Sequence, residues 1–324
     1  RILIQPSFAE EQLTLAKELR IEELRRIPDD PQKLAFRAFG RLIHEGSPRG
    51  RLATTASVSR IQRDDLVRFH ERHVRPGRVM LSISGDIEPN EAQSLVQRYF
   101  GSWQSPALSE APLPPAKPGE GKIYTLLKEG PQSIVLFGWQ APAKKSSGFF
   151  PTEIVDFVVG SGGFRSRIFQ EIRTNRGLAY STGSFFTARS DYGVFGAYAL
   201  TKSESTIEVI SLLRGIMQDM MRKPLTPREL ETAKRSIQNS YLFSFTSANQ
   251  IALQQLMIEF EGLPEAYLET YPANIARVTA REVKDAAERY LDPEKAMILI
   301  VGNSAVCRQI SESFKDVERI ENPL

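Results

Sequence analysis

Two separated stretches of this chain are versions of one another, and that constrains its architecture more than any other feature. "IQRDDLVRFHERHVRPGRVMLSISGD", starting at Ile61, lies over "VTAREVKDAAERYLDPEKAMILIVGN", starting at Val278. The register puts Glu71 on Glu288, Arg72 on Arg289, Pro76 on Pro293, Met80 on Met297 and Gly85 on Gly302. Held without a gap, it also puts Leu13, Ala16 and Lys17 on Leu230, Ala233 and Lys234. One register joining two distant pairs of segments marks a duplicated structural unit. In each copy an amphipathic helical run is followed by a proline and then by a short apolar run of strand character. The fold class expected is α+β, as tandem duplicated α+β domains.

The two copies differ in what precedes them. The second begins near Lys122, so by the same register the first would begin upstream of Arg1. The first domain is therefore expected to be incomplete at its N-terminus, lacking the counterparts of the second copy's opening strands. Residues 1–104 read as the later part of the first domain, residues 105–120 as a linker and residues 121–324 as the second domain. The linker reading rests on five prolines between Gln104 and Glu120 with no helical or strand period, the composition of an extended, semi-stiff connector.

Periodicity and capping chemistry predict the elements. A charged helix covers residues 9–27 with Leu13, Ala16, Leu19 and Leu24 inward, and Asp29-Asp30-Pro31 ends it and caps a helix to about His44. A further helix spans residues 62–74, a strand 78–85, and a helix from Pro89 closes this half. The second half opens with strands over 122–128 and 133–139 and a helix over 149–159. A hairpin turns at "RSDYG", and a helix follows over 204–222. Thr226-Pro227-Arg228-Glu229 is a capping box that starts one long helical run to about Glu261. Helices over 264–276 and 280–290, a strand over 296–302 and a last helix complete the chain.

The stretch richest in chemistry is "GSGGFRSRIFQEIRTNRGLAYSTGSFF", starting at Gly160. Gly160, Gly162 and Gly163 permit a sharp backbone turn. A short helix follows with Ile168, Phe169 and Ile172 on one face, Gly177 sits where a helix needs a left-handed end, and "LAYSTGSFF" reads as a returning strand. This path brings Arg173 near Tyr180. A guanidinium and a phenol converging there can both donate hydrogen bonds to a carbonyl oxygen. The alternative is an ordinary surface arginine beside a half-buried tyrosine.

Composition excludes several function classes. The 42 basic and 39 acidic residues are interspersed and leave a net charge of +3, which is no nucleic-acid footprint. Cys307 is alone, so an intrachain disulfide is excluded. The apolar runs "IVDFVVG" and "AMILIVG" are far too short to cross a membrane as helices. His70 and His73 stand three apart on a helix, but no Cys or Asp pair accompanies them at ligand spacing, and the repeat replaces them by Ala287 and Tyr290. The glycines at 160–163 lack the Lys-Ser/Thr ending of a phosphate loop. Met217, Met220 and Met221 read as core.

The stretch from Gly160, together with "LTPRELETAKRSI", "YPANIARVTAREVKDAAERYL" and "FHERHVRPGRVMLSISGDI", resembles the pitrilysin/insulinase family of zinc metallopeptidases. The resemblance implies two homologous halves closing like a clamshell around a peptide, in a metallopeptidase fold of the processing-peptidase kind. It implies a zinc site built on a His-x-x-Glu-His helix of the first half, with the glutamate as general base. That motif is not in these residues and is expected upstream. The family's third ligand, a later glutamate, falls on Glu23, with Glu22 as the neighbour one residue away. Arg173 and Tyr180 match the family's arginine and tyrosine, which hold the substrate carbonyl and stabilise the oxyanion. Gly162, Gly163 and Phe164 fall where non-catalytic members of the family carry a longer glycine-rich loop that helps bind substrate; here the loop is short.

The function implied is that of part of a zinc-dependent endopeptidase acting on extended peptides or unfolded protein segments, inactive without the zinc motif. Zn2+ is expected in the complete protein and not in these residues alone. The alternative is a non-catalytic subunit or scaffold that pairs, as a homodimer or heterodimer, with a zinc-bearing homologous subunit. The partner expected at the site is a peptide substrate. By analogy with bacterial members the expected compartment is the periplasm, with the cytoplasm as alternative.

Overall fold

The computed structural model describes residues 2–105 and 113–322. The first stretch is helical: α1 Glu10–Arg26, α2 Pro31–Ile43, α3 Thr55–Ser59, α4 Arg63–His73 and α5 Pro89–Phe100. The second holds β1 Ile123–Leu127, β2 Gln132–Ala141, α6 Phe149–Asp156, β3 Ala179–Ala188 and β4 Gly193–Lys202. Then come α7 Thr206–Arg222, α8 Pro227–Leu242, α9 Ala248–Glu261, α10 Tyr267–Arg277, α11 Ala280–Tyr290, β5 Met297–Gly302, α12 Ser304–Ser313 and β6 Val317–Ile320. Residues 106–112 of the expected linker lie outside the described residues.

The six strands form one mixed sheet in the order β3-β4-β2-β5-β1-β6. β1 runs parallel to β5 and β6, and the other pairs are antiparallel. The alternation of side chains decides the layers. Val135, Phe137 and Trp139 of β2 and Ile298 and Ile300 of β5 face the larger core, shared with α6, α7 and α11. Ile134 and Leu136 of β2 and Met297, Leu299 and Val301 of β5 point the other way, onto Leu34, Ala38, Phe39 and Ile43 of α2. A helix from the first half thus covers the far face of the second half's sheet. Each large apolar side chain buried there contributes about 1.5–3 kcal/mol. Gly138 makes the approach feasible, because a Cβ there would stand 2.6 Å from the Phe39 ring.

The duplication is visible in the backbone. The register that joins Ile61 to Val278 carries α1 onto α8, α2 onto α9 and α4 onto α11. Gln62 and Thr279, paired by that register, both head capping boxes, closed by Asp65 and Glu282. Lys17 donates to the Ser59 carbonyl at 2.8 Å, and its counterpart Lys234 donates to the Ala276 carbonyl, the counterpart of Ser59, at 2.7 Å.

The structure corrects four expectations. Residues 78–85 form no strand: a strand needs a neighbour, and the described residues supply none on either edge. Val79, Met80, Leu81 and Ile83 are instead exposed, and Ser82 and Ser84 donate to the Ala252 carbonyl and the Asn249 side chain of α9. The helical run from Thr226 breaks after Leu242. Ser247 caps the N–H of Gln250, and Thr246 bonds the Gln250 side chain, so local side-chain chemistry restarts the helix as α9. In α1 Leu24 is buried, but Leu19 is 64% exposed and Ala16 also faces outward. The chain also forms β6, which its periodicity does not announce: a short edge strand with two of its four residues exposed.

Candidate functional site

The stretch that begins at Gly160 wraps around the end of α6 and returns as β3. A Cβ on Gly160 would stand 2.1 Å from the Ser184 backbone nitrogen, so glycine is what lets this turn lie directly on β3. Gly163 takes φ +62°, and the Ser166 hydroxyl donates to its carbonyl at 2.8 Å. Ile168 and Ile172 are fully buried and pin the following helical segment, whose wide turns run over Phe169–Asn175. Gly177, at φ +65°, ends it, and the Leu178 N–H reaches back to the Ile172 carbonyl at 2.9 Å.

This path brings Arg173 and Tyr180 together. The Arg173 guanidinium carbon lies 4.9 Å from the Tyr180 ring centre and 4.8 Å from the Phe169 ring centre, and so stacks against two aromatic rings. Phe164 continues the row, its ring edge-on to Phe169 at 4.7 Å. Tyr180 is 80% exposed and Phe164 75%. The nearby carboxylates are engaged elsewhere, since Glu171 and Glu208 both bind Arg176. Among the described residues Arg173 makes no ion pair and no side-chain hydrogen bond, which leaves its N–H edges open to an incoming acceptor. Phe169 is half-exposed rather than facing inward as its periodicity predicts.

Gly162 and Gly163 shape the turn that presents Phe164. A Cβ on Gly162 would stand 2.5 Å from the Phe157 carbonyl oxygen, whereas Gly163 meets nothing and is held to glycine by its φ alone. The Arg167 guanidinium clamps this region to α8 through Glu229, at 2.9 Å. Burial works against the Glu229 charge, but the Thr226 N–H and Arg167 hold its carboxyl below the ordinary value.

Glu23 stands apart from this constellation, on an exposed face of α1, with its carboxylate 2.5 Å from Arg20. Among the described residues no three His, Cys, Asp or Glu side chains come together to hold a metal ion. His70 bonds the Leu3 carbonyl and His73 packs on Phe69. The residues present therefore do not fit a zinc centre by themselves; Glu23 offers a single carboxylate. Cys307 is a half-buried thiol whose pKa is raised by that burial, and it donates to the Gly302 carbonyl.

A second group of acids belongs to no motif of the sequence. Glu153 and Asp156, on the buried side of α6, line an open pocket of about 400 Å³ with Ser161, Ser240, Tyr241 and Tyr271. Burial pushes Glu153 up to about 7, although the Tyr271 hydroxyl donates to it. Burial pushes Asp156 up to about 6 against a 2.6 Å hydrogen bond from Ser184. By the repeat register Ser240 is the counterpart of Glu23. The signal that could have found them is two acids three apart in an otherwise apolar helix, "FFPTEIVDFVVG".

Comparison with known proteins bears on these elements. A family model described as "Peptidase M16 inactive domain" matches residues 60–237, more than half of the chain. An uncharacterized zinc protease of Mycobacterium leprae is 28% identical over 254 residues, covering 76% of this chain and 57% of that protein. One of Rickettsia felis is 27% identical, covering 75% and 58%. The chain thus spans less than two thirds of the length of these curated relatives. Among solved structures, a peptidase M16 inactive domain from Pseudomonas fluorescens superposes with a TM-score of 0.83 at 23% identity, covering 94% of this chain and 73% of that one. At that identity the likeness is one of fold.

Proposed function

The chain belongs to the peptidase M16 family, and from that premise we propose that it forms the second jaw of a zinc-dependent endopeptidase acting on extended peptides or unfolded protein segments. The observation that carries this reading is the Arg173 guanidinium held between the Phe169 and Tyr180 rings with its donor edges uncommitted. A peptide carbonyl oxygen approaching this face meets the guanidinium N–H groups and the Tyr180 hydroxyl as donors. Donors already in place lower the cost of the negative charge that develops when water attacks. β3, which carries Tyr180, is an edge strand, so a substrate can lie along it as an added strand. Backbone pairing of that kind selects extended conformation more than side-chain identity. In this reading the zinc is held by residues other than those described, in the complete protein or on a zinc-bearing partner subunit.

A second reading, a non-catalytic subunit of the same fold, draws support from the match to a domain described as inactive. One experiment separates the two. The natural full-length product is assayed for peptide hydrolysis with and without a chelator, beside its Arg173→Ala/Tyr180→Phe variant. The endopeptidase reading expects chelator-sensitive cleavage that falls on the order of 100-fold in the variant, with the melting temperature unchanged. Full-length protein that neither binds zinc nor cleaves would remove that reading in favour of the second.

A further inference from the structure

Immediately after Phe164, the surface opens into two adjoining grooves of about 400 Å³ and 420 Å³. They share Arg165, Arg228 and Thr232, and so make one trough along the beginning of α8. Phe157 and Val158 supply an apolar wall at one end, and Arg235 lines the other. Three arginines therefore line one concavity. Arg165 comes from the glycine turn, while Arg228 and Arg235 stand two helical turns apart on α8, a rise of about 10 Å.

Arg20, Arg26, Arg68, Arg176 and Arg189 each have a carboxylate within ion-pair distance. Arg165, Arg228 and Arg235 make no ion pair and no side-chain hydrogen bond among the described residues. Of the two acids along the trough, Glu229 is already engaged by Arg167 at 2.9 Å and by its own cap at Thr226. Glu231 alone remains to offset three cations. A concave surface with an uncompensated charge of one sign concentrates ligands of the other.

We propose that this trough binds the acidic part of an extended peptide, through Arg165, Arg228 and Arg235. That the anion is carried on a peptide rests on the function proposed above. The spacing favours this occupant over a compact anion. Two carboxylates three residues apart in a polyproline-II-type extended chain, which has three residues per turn, lie on one side of it about 9 Å apart, close to the rise between Arg228 and Arg235. The guanidinium forks pair with carboxylates in two-point fashion. The consequence is a preference for substrates with acidic residues displaced from the bond held at Arg173 and Tyr180.

The test is direct binding, read by fluorescence anisotropy on the full-length protein with its zinc-ligating residues intact and a chelator present to suppress cleavage. The probes are a labelled extended peptide bearing two glutamates three residues apart, its glutamine twin, and tripolyphosphate as competitor. The proposal expects the acidic peptide to bind at least about tenfold tighter than its twin, a preference that shrinks with added salt. Arg228→Gln/Arg235→Gln should abolish the preference while the melting temperature stays constant. Arg281→Gln, which removes one charge far along the chain, should leave it intact. Equal affinity for the two peptides, a preference that survives in the double variant, or one equally lost in Arg281→Gln would overturn it. So would tripolyphosphate binding at the trough with no discrimination between peptides. Loss of hydrolysis in Arg173→Ala/Tyr180→Phe with the charge preference retained supports both the catalytic role and the trough, whereas hydrolysis retained there with the preference intact overturns the catalytic role alone.

Discussion

Arg173 is held by aromatic rings rather than by a carboxylate, and this has a testable consequence. A carboxylate partner would occupy the donors that a substrate needs, whereas rings orient the guanidinium and leave those donors free. On the endopeptidase reading, Phe169→Leu, which keeps bulk and removes the ring, is expected to lower kcat of the full-length protein about tenfold with KM little changed. Phe169→Tyr should restore it, and in Phe169→Leu alone the Arg173 Nε–H resonance should lose the part of its ring-current shift that Phe169 supplies. An unaltered resonance in that variant would show that the ring does not position the guanidinium. Glu153 provides a second case. Its folded pKa stands above the ordinary glutamate value, so the folded state binds the proton more tightly than the unfolded state does. Its contribution to stability is full below about pH 4.5 and is lost as pH rises through about 7. Each tenfold gain in proton affinity on folding is worth about 1.4 kcal/mol. Glu153→Gln carries no charge at any pH. It should melt above the parent near pH 8 and lose that advantage near pH 5, in thermal melts across the range. Parallel melting curves for the two proteins would contradict the raised pKa. The convergence of Arg173 and Tyr180 was legible in the sequence because a glycine stop and a returning strand are local signals. The stacking of Phe169 was not, because the same period suits a core side chain and a half-exposed one.

At the scale of elements, the repeated lysine bond shows how each copy is tied together. Lys17 links α1 to the end of α3, and Lys234 links α8 to the end of α10, each by an ammonium donated to a helix-terminal carbonyl. A cation at a helix C-terminus also meets the negative end of the helix dipole. Lys17→Met and Lys234→Met are each expected to cost about 1 kcal/mol in urea unfolding, and the double variant about the sum. A cost at one lysine and none at the other would break the equivalence of the copies. The contrast between β5 and residues 78–85 makes a different point. Both runs have the same character, but β5 lies between β1 and β2 and is fully buried, whereas 78–85 has no strand beside it among the described residues and stays irregular. Strand propensity is realised only where a partner completes the ladder. α9, the counterpart of α2, lies against this run as α2 lies against β5, and leaves Ile251, Leu253 and Phe260 exposed.

For the molecule as a whole, the amino-acid sequence by itself determined the duplication, the succession of helix and strand from β1 to α12 in the second copy, the glycine turn and the pairing of Arg173 with Tyr180. These rest on short-range chemistry: side-chain period, caps, and backbone conformations that glycine alone adopts readily. The α+β class and the M16 family were legible for the same reason, since the motifs carry their own spacing. Tertiary structure decided what depends on contacts between distant residues. It set α2 of the first half on the far face of the second half's sheet and withheld a ladder from residues 78–85. It also buried Glu153 and Asp156 deeply enough to push them up to about 7 and about 6, and brought Arg165 of the turn beside Arg228 and Arg235 of α8. The physical reason is common to all of these. Local conformation is chosen within a few residues, whereas desolvation, strand pairing and charge compensation are set by whatever the rest of the chain brings alongside.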